Sequence, residues 1–154
     1  MKTRILLLLL GLSVSIGIYI MLTATDTHAA RPQPGTVVTL DVYSGKPNPS
    51  WTLPKAAGDE LARRVDALSV TAPDAPEFDG LGYRSVSAVT TADDGKQTAV
   101  TASRGVVTLE KAGQRRRLVD SGRAFELWLV NTGAGELKPE LLKQVVASIK
   151  PAPR

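Results

Sequence analysis

The stretch that decides the fold is Leu81–Val119, LGYRSVSAVTTADDGKQTAVTASRGVVTLEKAGQRRRLV. It holds four Val- and Thr-rich runs, Leu81–Thr91, Lys96–Ser103, Val106–Lys111 and Gln114–Val119, separated by Asp93-Asp94-Gly95, Arg104-Gly105 and Ala112-Gly113. β-branched residues suit a pleated, half-buried surface, and short connections carrying glycine turn the chain back on itself. Connections this short join only antiparallel neighbours. The spacing therefore predicts a four-strand meander.

On its N-terminal side, Thr36–Ser44 alternates, with Val38, Leu40 and Val42 pointing one way and Val37, Thr39, Asp41 and Tyr43 the other. That is a further strand with one buried face. Gly45-Lys46-Pro47-Asn48-Pro49-Ser50-Trp51 breaks it and reads as an extended loop leading directly into a helix. The helix is expected from about Pro54 to Leu68, where Leu53, Ala57, Leu61, Val65 and Leu68 recur at helical spacing and Asp59/Arg63 and Glu60/Arg64 form i, i+4 pairs. Thr71–Gly80, rich in Pro and Asp, is long enough to cross an edge of the sheet. Beyond the meander, Asp120 or Ser121 can cap a second helix that runs to Gly133 and is apolar nearly all round. Lys138–Lys150 forms the last helix, with Pro139 in its first turn, Leu137 and Leu142 spaced for a hydrophobic staple, and Pro151 as its stop.

The expected order is strand, helix, four strands, two helices. It predicts an α+β domain over residues 36–150, an antiparallel sheet of about five strands with helices packed on one face. Residues 31–35 are an extended linker and 151–154 a tail.

Composition removes whole classes of chemistry. The chain has 154 residues, no Cys and one His, His28, which lies in the N-terminal targeting region. Disulfides, thiolate nucleophiles, zinc-thiolate sites, Ser-His-Asp catalysis and His-ligated metals are excluded from the domain. No cofactor and no metal is expected. With only 5% aromatic residues against 43% hydrophobic, the core must be aliphatic.

Lys2 and Arg4 precede Ile5–Leu22, a stretch without a charged residue. Its length lies between the h-region of a signal peptide and a spanning helix, and both readings stand: cleavage after Ala29 or Ala30, or an uncleaved anchor at residues 5–22. In either case the basic flank stays inside and the domain is sent across. The expected location is extracytoplasmic, periplasmic or secreted, with the membrane touched only by this segment.

The densest segment is Asp41-Val42-Tyr43-Ser44-Gly45-Lys46-Pro47-Asn48-Pro49-Ser50-Trp51, and Leu81-Gly82-Tyr83-Arg84 belongs to the same pattern. It resembles an Asp-Val-aromatic-Ser-Gly-basic-Pro-Asn-Pro-x-Trp segment of small uncharacterised bacterial proteins, with Lys46 where that pattern has Arg. No activity attaches to the family. The resemblance implies a shared fold unit and carries over no catalytic residue.

Two functional surfaces follow from residue chemistry. In the loop, Asn48 offers an amide, Lys46 a charge and Trp51 a stacking face for a ligand; the competing reading is a rigid joint with Trp51 closing the core and Asn48 bonding local backbone. In Arg115-Arg116-Arg117, strand alternation puts Arg115 and Arg117 on one face, where they can meet an anionic partner, or the run is a solvated edge that resists aggregation. Asp93-Asp94-Gly95 lacks the spacing of a calcium loop and reads as a turn. Nothing in the sequence brings the carboxylates Asp41, Asp79 and Glu126 together, and a Ser44–Lys46 pair has no established geometry for proton transfer. Nucleic acid is not an expected partner, since no basic patch is interleaved with aromatics. The expected function is a non-catalytic binding module of the cell envelope, with a protein or envelope component as partner; the alternative is a small envelope enzyme or enzyme inhibitor using Ser44–Trp51.

Overall fold

The computed structural model describes residues 33–72 and 81–149. The N-terminal apolar segment, Pro73–Gly80 with Asp79, and the tail lie outside the described residues. The chain runs β1 (Gly35–Asp41), β2 (Ser50–Leu53), α1 (Lys55–Asp66), β3 (Ser85–Thr91), β4 (Gln97–Ser103), β5 (Val106–Lys111), β6 (Gln114–Val119), a 3-10 turn (Ser121–Arg123), α2 (Ala124–Asn131) and α3 (Pro139–Ile149). All six strands form one antiparallel sheet in the order β2-β1-β3-β4-β5-β6. This is the expected α+β class, with the meander strands in place.

The sheet has one strand more than the sequence reading allowed. Ser50–Leu53, read as the end of a loop, pairs with β1, so that Thr36 faces Leu53 and Val38 faces Trp51. Two alternating residues, Trp51 and Leu53, are too short a pattern to signal a strand, and Leu53 continues the helical spacing of Ala57 and Leu61. The flanking prolines Pro49 and Pro54 fit an edge strand, where a missing N–H breaks no ladder.

Register sets the core. One row across the sheet runs Trp51, Val38, Ala88, Val100, Leu109, and the next Leu40, Val86, Ala102, Val107, Leu118. Leu40, Val86, Ala102 and Val107 are fully buried and share one cluster with Leu61 and Val65 of α1, Phe125, Leu129 and Val130 of α2, and Val145 and Ile149 of α3. α1 lies against β1 and β2, α2 crosses β3 and β4, and α3 packs on α2. The opposite face carries Thr39, Ser87, Thr101 and Thr108 in one row and Val37, Val89 and Ala99 in the next; Val37 and Val89 are exposed, and among the described residues no helix covers this face.

The apolar character of α2 on nearly every side follows from its position. Its inner residues meet the sheet and α3, while Trp128 takes the Arg64 guanidinium of α1 over its ring at 4.7 Å and lies 5.9 Å from the Phe125 ring. Asp120 starts this helix across the 3-10 turn, its two carboxylate oxygens accepting from the Phe125 and Glu126 N–H groups at 2.8 and 2.9 Å. Those donors would otherwise be orphaned at the helix start. Past the sheet, Val70–Ala72 covers part of the outer edge of β6 through Val119 N–H to Val70 O and Ala72 N–H to Arg117 O, at 2.9 and 3.0 Å.

Candidate functional site: a groove between the Tyr43 loop and the last helix

The two halves of the dense motif meet in space. Arg84, just before β3, donates from Nε to Asp41 Oδ2 at 2.8 Å and from Nη2 to Asp41 Oδ1, a bidentate pair at the end of β1. The same guanidinium reaches Tyr43 O at 2.8 Å and Ser44 Oγ at 3.3 Å. Asn48 completes the joint: its Oδ1 accepts from the Val42 and Tyr43 N–H groups at 3.0 and 2.8 Å, and its Nδ2 donates to Asp41 Oδ1 at 2.9 Å. The Arg84 hydrogen bond holds the Asp41 carboxyl below the usual carboxylate range, against the opposing effect of burial.

A second network lies behind Tyr83. The Tyr83 hydroxyl donates to Glu126 Oε1 at 2.7 Å, and Glu126, fully buried, is held by Arg123 Nε and Nη2 at 2.8 and 2.9 Å. Arg123 Nη1 also donates to the carbonyls of Ser148 and Ile149 at the end of α3, at 3.1 and 3.2 Å. Burial, then the Glu126 charge, pushes the Tyr83 phenol far above its ordinary value. Arg123 thus ties α2 to α3 directly and, through Glu126, to the segment that leads into β3.

Between these networks runs a groove of about 510 Å³, walled by Val42, Tyr43 and Tyr83 on one side and by Leu141 and Gln144 of α3, with Lys138 just before that helix, on the other. Its volume is within the range of small-molecule sites, and it combines an apolar floor with a few polar groups. Among the described residues Glu140 is the carboxylate that lines it. Asp41 and Glu126, the other nearby carboxylates, are each engaged by a guanidinium. Ser44 and Lys46 do not meet: Ser44 accepts from Arg84, and Lys46 Nζ sits 3.8 Å from the Tyr43 ring centroid. Among the described residues no cluster of three His, Cys, Asp or Glu could hold a metal ion.

The residues singled out from sequence fall in different places. Trp51 is 5% exposed and donates from Nε1 to Thr132 Oγ1 at 2.9 Å; it belongs to β2 and the core, and the loop ends before it. Asn48 is used by the loop's own backbone. Lys46 remains exposed, stacked on Tyr43. Arg115 and Arg117 do share the open face, where Arg115 pairs with Glu110 across the strands at 2.7 Å. Asp93-Asp94-Gly95 is the β3–β4 turn, tied by Lys96 N–H to Asp94 Oδ1 at 3.0 Å. Sequence reasoning did not find Arg84 as the clamp on Asp41 or the Tyr83–Glu126–Arg123 network. An ionisable residue amid the apolar run Ala124–Val130 was the one available signal for Glu126.

Over the described residues the fold is a six-stranded antiparallel sheet with three helices, and the site is a joint of two sequence-distant segments against a helix. No family model, no curated protein and no solved structure matches the chain.

Proposed function

We propose that the protein is an exported, extracytoplasmic binding module of the cell envelope, working without a cofactor, and that the groove between Tyr43 and α3 receives its partner. The observation that carries the reading is the fate of the polar groups around the groove. Asp41, Asn48, Glu126 and Ser44 are spent on holding backbone and guanidinium groups, while Gln144, Lys138 and Glu140 line the open space. That supports recognition rather than chemistry, since catalysis demands a nucleophile, a base and an orienting group together. Lys2, Arg4 and the uncharged Ile5–Leu22 support export.

A photo-crosslinking residue at position 144, compared with one at Lys55 on the outer face of α1, tests the site in the producing cell. A crosslinked envelope species specific to position 144, in an extracytoplasmic fraction, is the expected outcome. Equal capture at both positions would refute the groove, and full-length soluble chain in the cytosol would refute the export.

A further inference from the structure

We infer that a second site, at the corner of the sheet beyond α1, binds a short-chain anionic amphiphile: a monoanionic carboxylate head on an apolar body of about six to eight carbons. The head would meet Lys111 and Arg116. Both project from the helix-side face, because Leu109 pairs with Arg116 and Lys111 with Gln114 in the β5–β6 register. Diagonal neighbours on one sheet face stand within reach of one bridging anion when their side chains are long. Among the described residues neither makes an ion pair or a side-chain hydrogen bond, in contrast to Arg115 with Glu110 on the opposite face. The charge of the arginine run that is available to a ligand is therefore the one that points away from Arg115 and Arg117.

The body would enter an apolar pocket that opens beside these cations. Leu61, Val65, Val100 and Leu109 line it, with Lys111 at the same opening, in a space of about 210 Å³ between α1 and the sheet. A neighbouring hollow shares Leu109 and Lys111 and adds Gln114 and Arg116, so pocket and cations form one continuous surface. A space of about 210 Å³ is room for a short apolar chain, about six to eight methylenes when each takes roughly the 30 Å³ share of a water molecule. Asp66 also lines the pocket. Among the described residues, two cations against that one carboxylate leave a single net positive charge, which suits a monoanion better than a phosphate dianion. The groove at Tyr43 shares no lining residue with this corner.

The test is photolysis of the full chain with octanoate carrying a diazirine at its far end, and mapping of the modified peptides by mass spectrometry. Modification confined to Gly58–Asp66 and Val100–Lys111 is expected. Lys111→Gln/Arg116→Gln should lower it by about tenfold or more, as loss of charge partners at a binding site does, with an unchanged melting curve because both side chains are exposed. Untagged octanoate should compete better than octyl phosphate, and tagged octanol should label weakly. Modification scattered over the chain, equal labelling by octanol, or undiminished labelling of the double variant would overturn the site. Stronger competition by octyl phosphate would overturn the monoanionic head.

Discussion

Gly133 lies flat against the Trp51 indole: a Cβ built on Gly133 would stand 2.9 Å from Trp51 Cζ2 and 3.0 Å from Cε2, with Leu137 Cδ1 at 3.1 Å. The indole is tied to the same turn by its Nε1–H bond to Thr132, the residue before Gly133, which limits its freedom to move away. Gly133→Ala should therefore destabilise by about 1 to 3 kcal/mol, the usual cost of overpacking, and Trp51→Ala by about 3 to 5 kcal/mol, the cost of an aromatic cavity. In the double variant the alanine methyl has room, and the two losses should be clearly less than additive in a denaturant series. Additive losses would mean that the contact between the two residues is slack.

Much of this was readable from the chain. The meander needed only its period of two and its glycine turns, and α1 and α3 needed only their apolar spacing, because these elements bury one face and expose the other. β2 escaped because a four-residue edge strand between prolines has no period to read. The backbone bonds of Asn48 were one of the two readings of the loop, but the Arg84 clamp on Asp41 escaped because the two lie 43 residues apart in sequence and meet only through the β1–β3 pairing. Trp51 is instructive. Its neighbours Leu53, Ala57 and Leu61 pointed to burial, yet only the register with Val38 shows which core it enters.

The clamp on Asp41 makes a pH prediction. Its folded-state pKa is depressed, chiefly by the Arg84 hydrogen bond, so its stabilising effect is present above the unfolded value of about 3.9 and is lost as pH falls through the folded value. The difference in melting temperature between the natural chain and Asp41→Asn should be flat from about pH 7 to pH 5 and shrink below about pH 4. A difference that persists undiminished at about pH 2.5 would show that the contribution of Asp41 is steric rather than ionic.

Asp120 is the cap that holds the entry to α2. Replacing it with alanine orphans the Phe125 and Glu126 N–H groups in a buried setting, so Asp120→Ala should cost about 1 to 2 kcal/mol. Asp120→Asn retains one acceptor and should recover part of that loss, whereas Ser121→Ala, at an exposed position in the preceding turn, should cost less than about 0.5 kcal/mol. Equal losses for Asp120 and Ser121 would transfer the capping role to the turn.

Glu126 is the severest test of how the groove is held. It is fully buried, with Arg123 and Tyr83 as its partners. Removing Glu126 leaves the largely buried Tyr83 hydroxyl and the partly exposed Arg123 guanidinium without their acceptor, so Glu126→Ala should cost about 2 to 4 kcal/mol, short of the full penalty of a buried unpaired charge. Tyr83→Phe alone should cost about 1.5 to 3 kcal/mol, as a lost bond to a charged group does, and close to nothing once Glu126 is gone. Arg123→Met/Glu126→Leu separates the remaining role. If Arg123 served only to neutralise Glu126, an apolar replacement of both should be nearly neutral or stabilising. Because Arg123 also donates to the Ser148 and Ile149 carbonyls, the double variant should remain destabilised, with amide exchange accelerated selectively in α3 while the sheet stays protected. Loss confined to α3 would loosen the wall that carries Leu141 and Gln144, and crosslinking from position 144 should fall with it. Exchange that rises uniformly across sheet and helices would assign Arg123 to the core alone and leave α3 held by its apolar face.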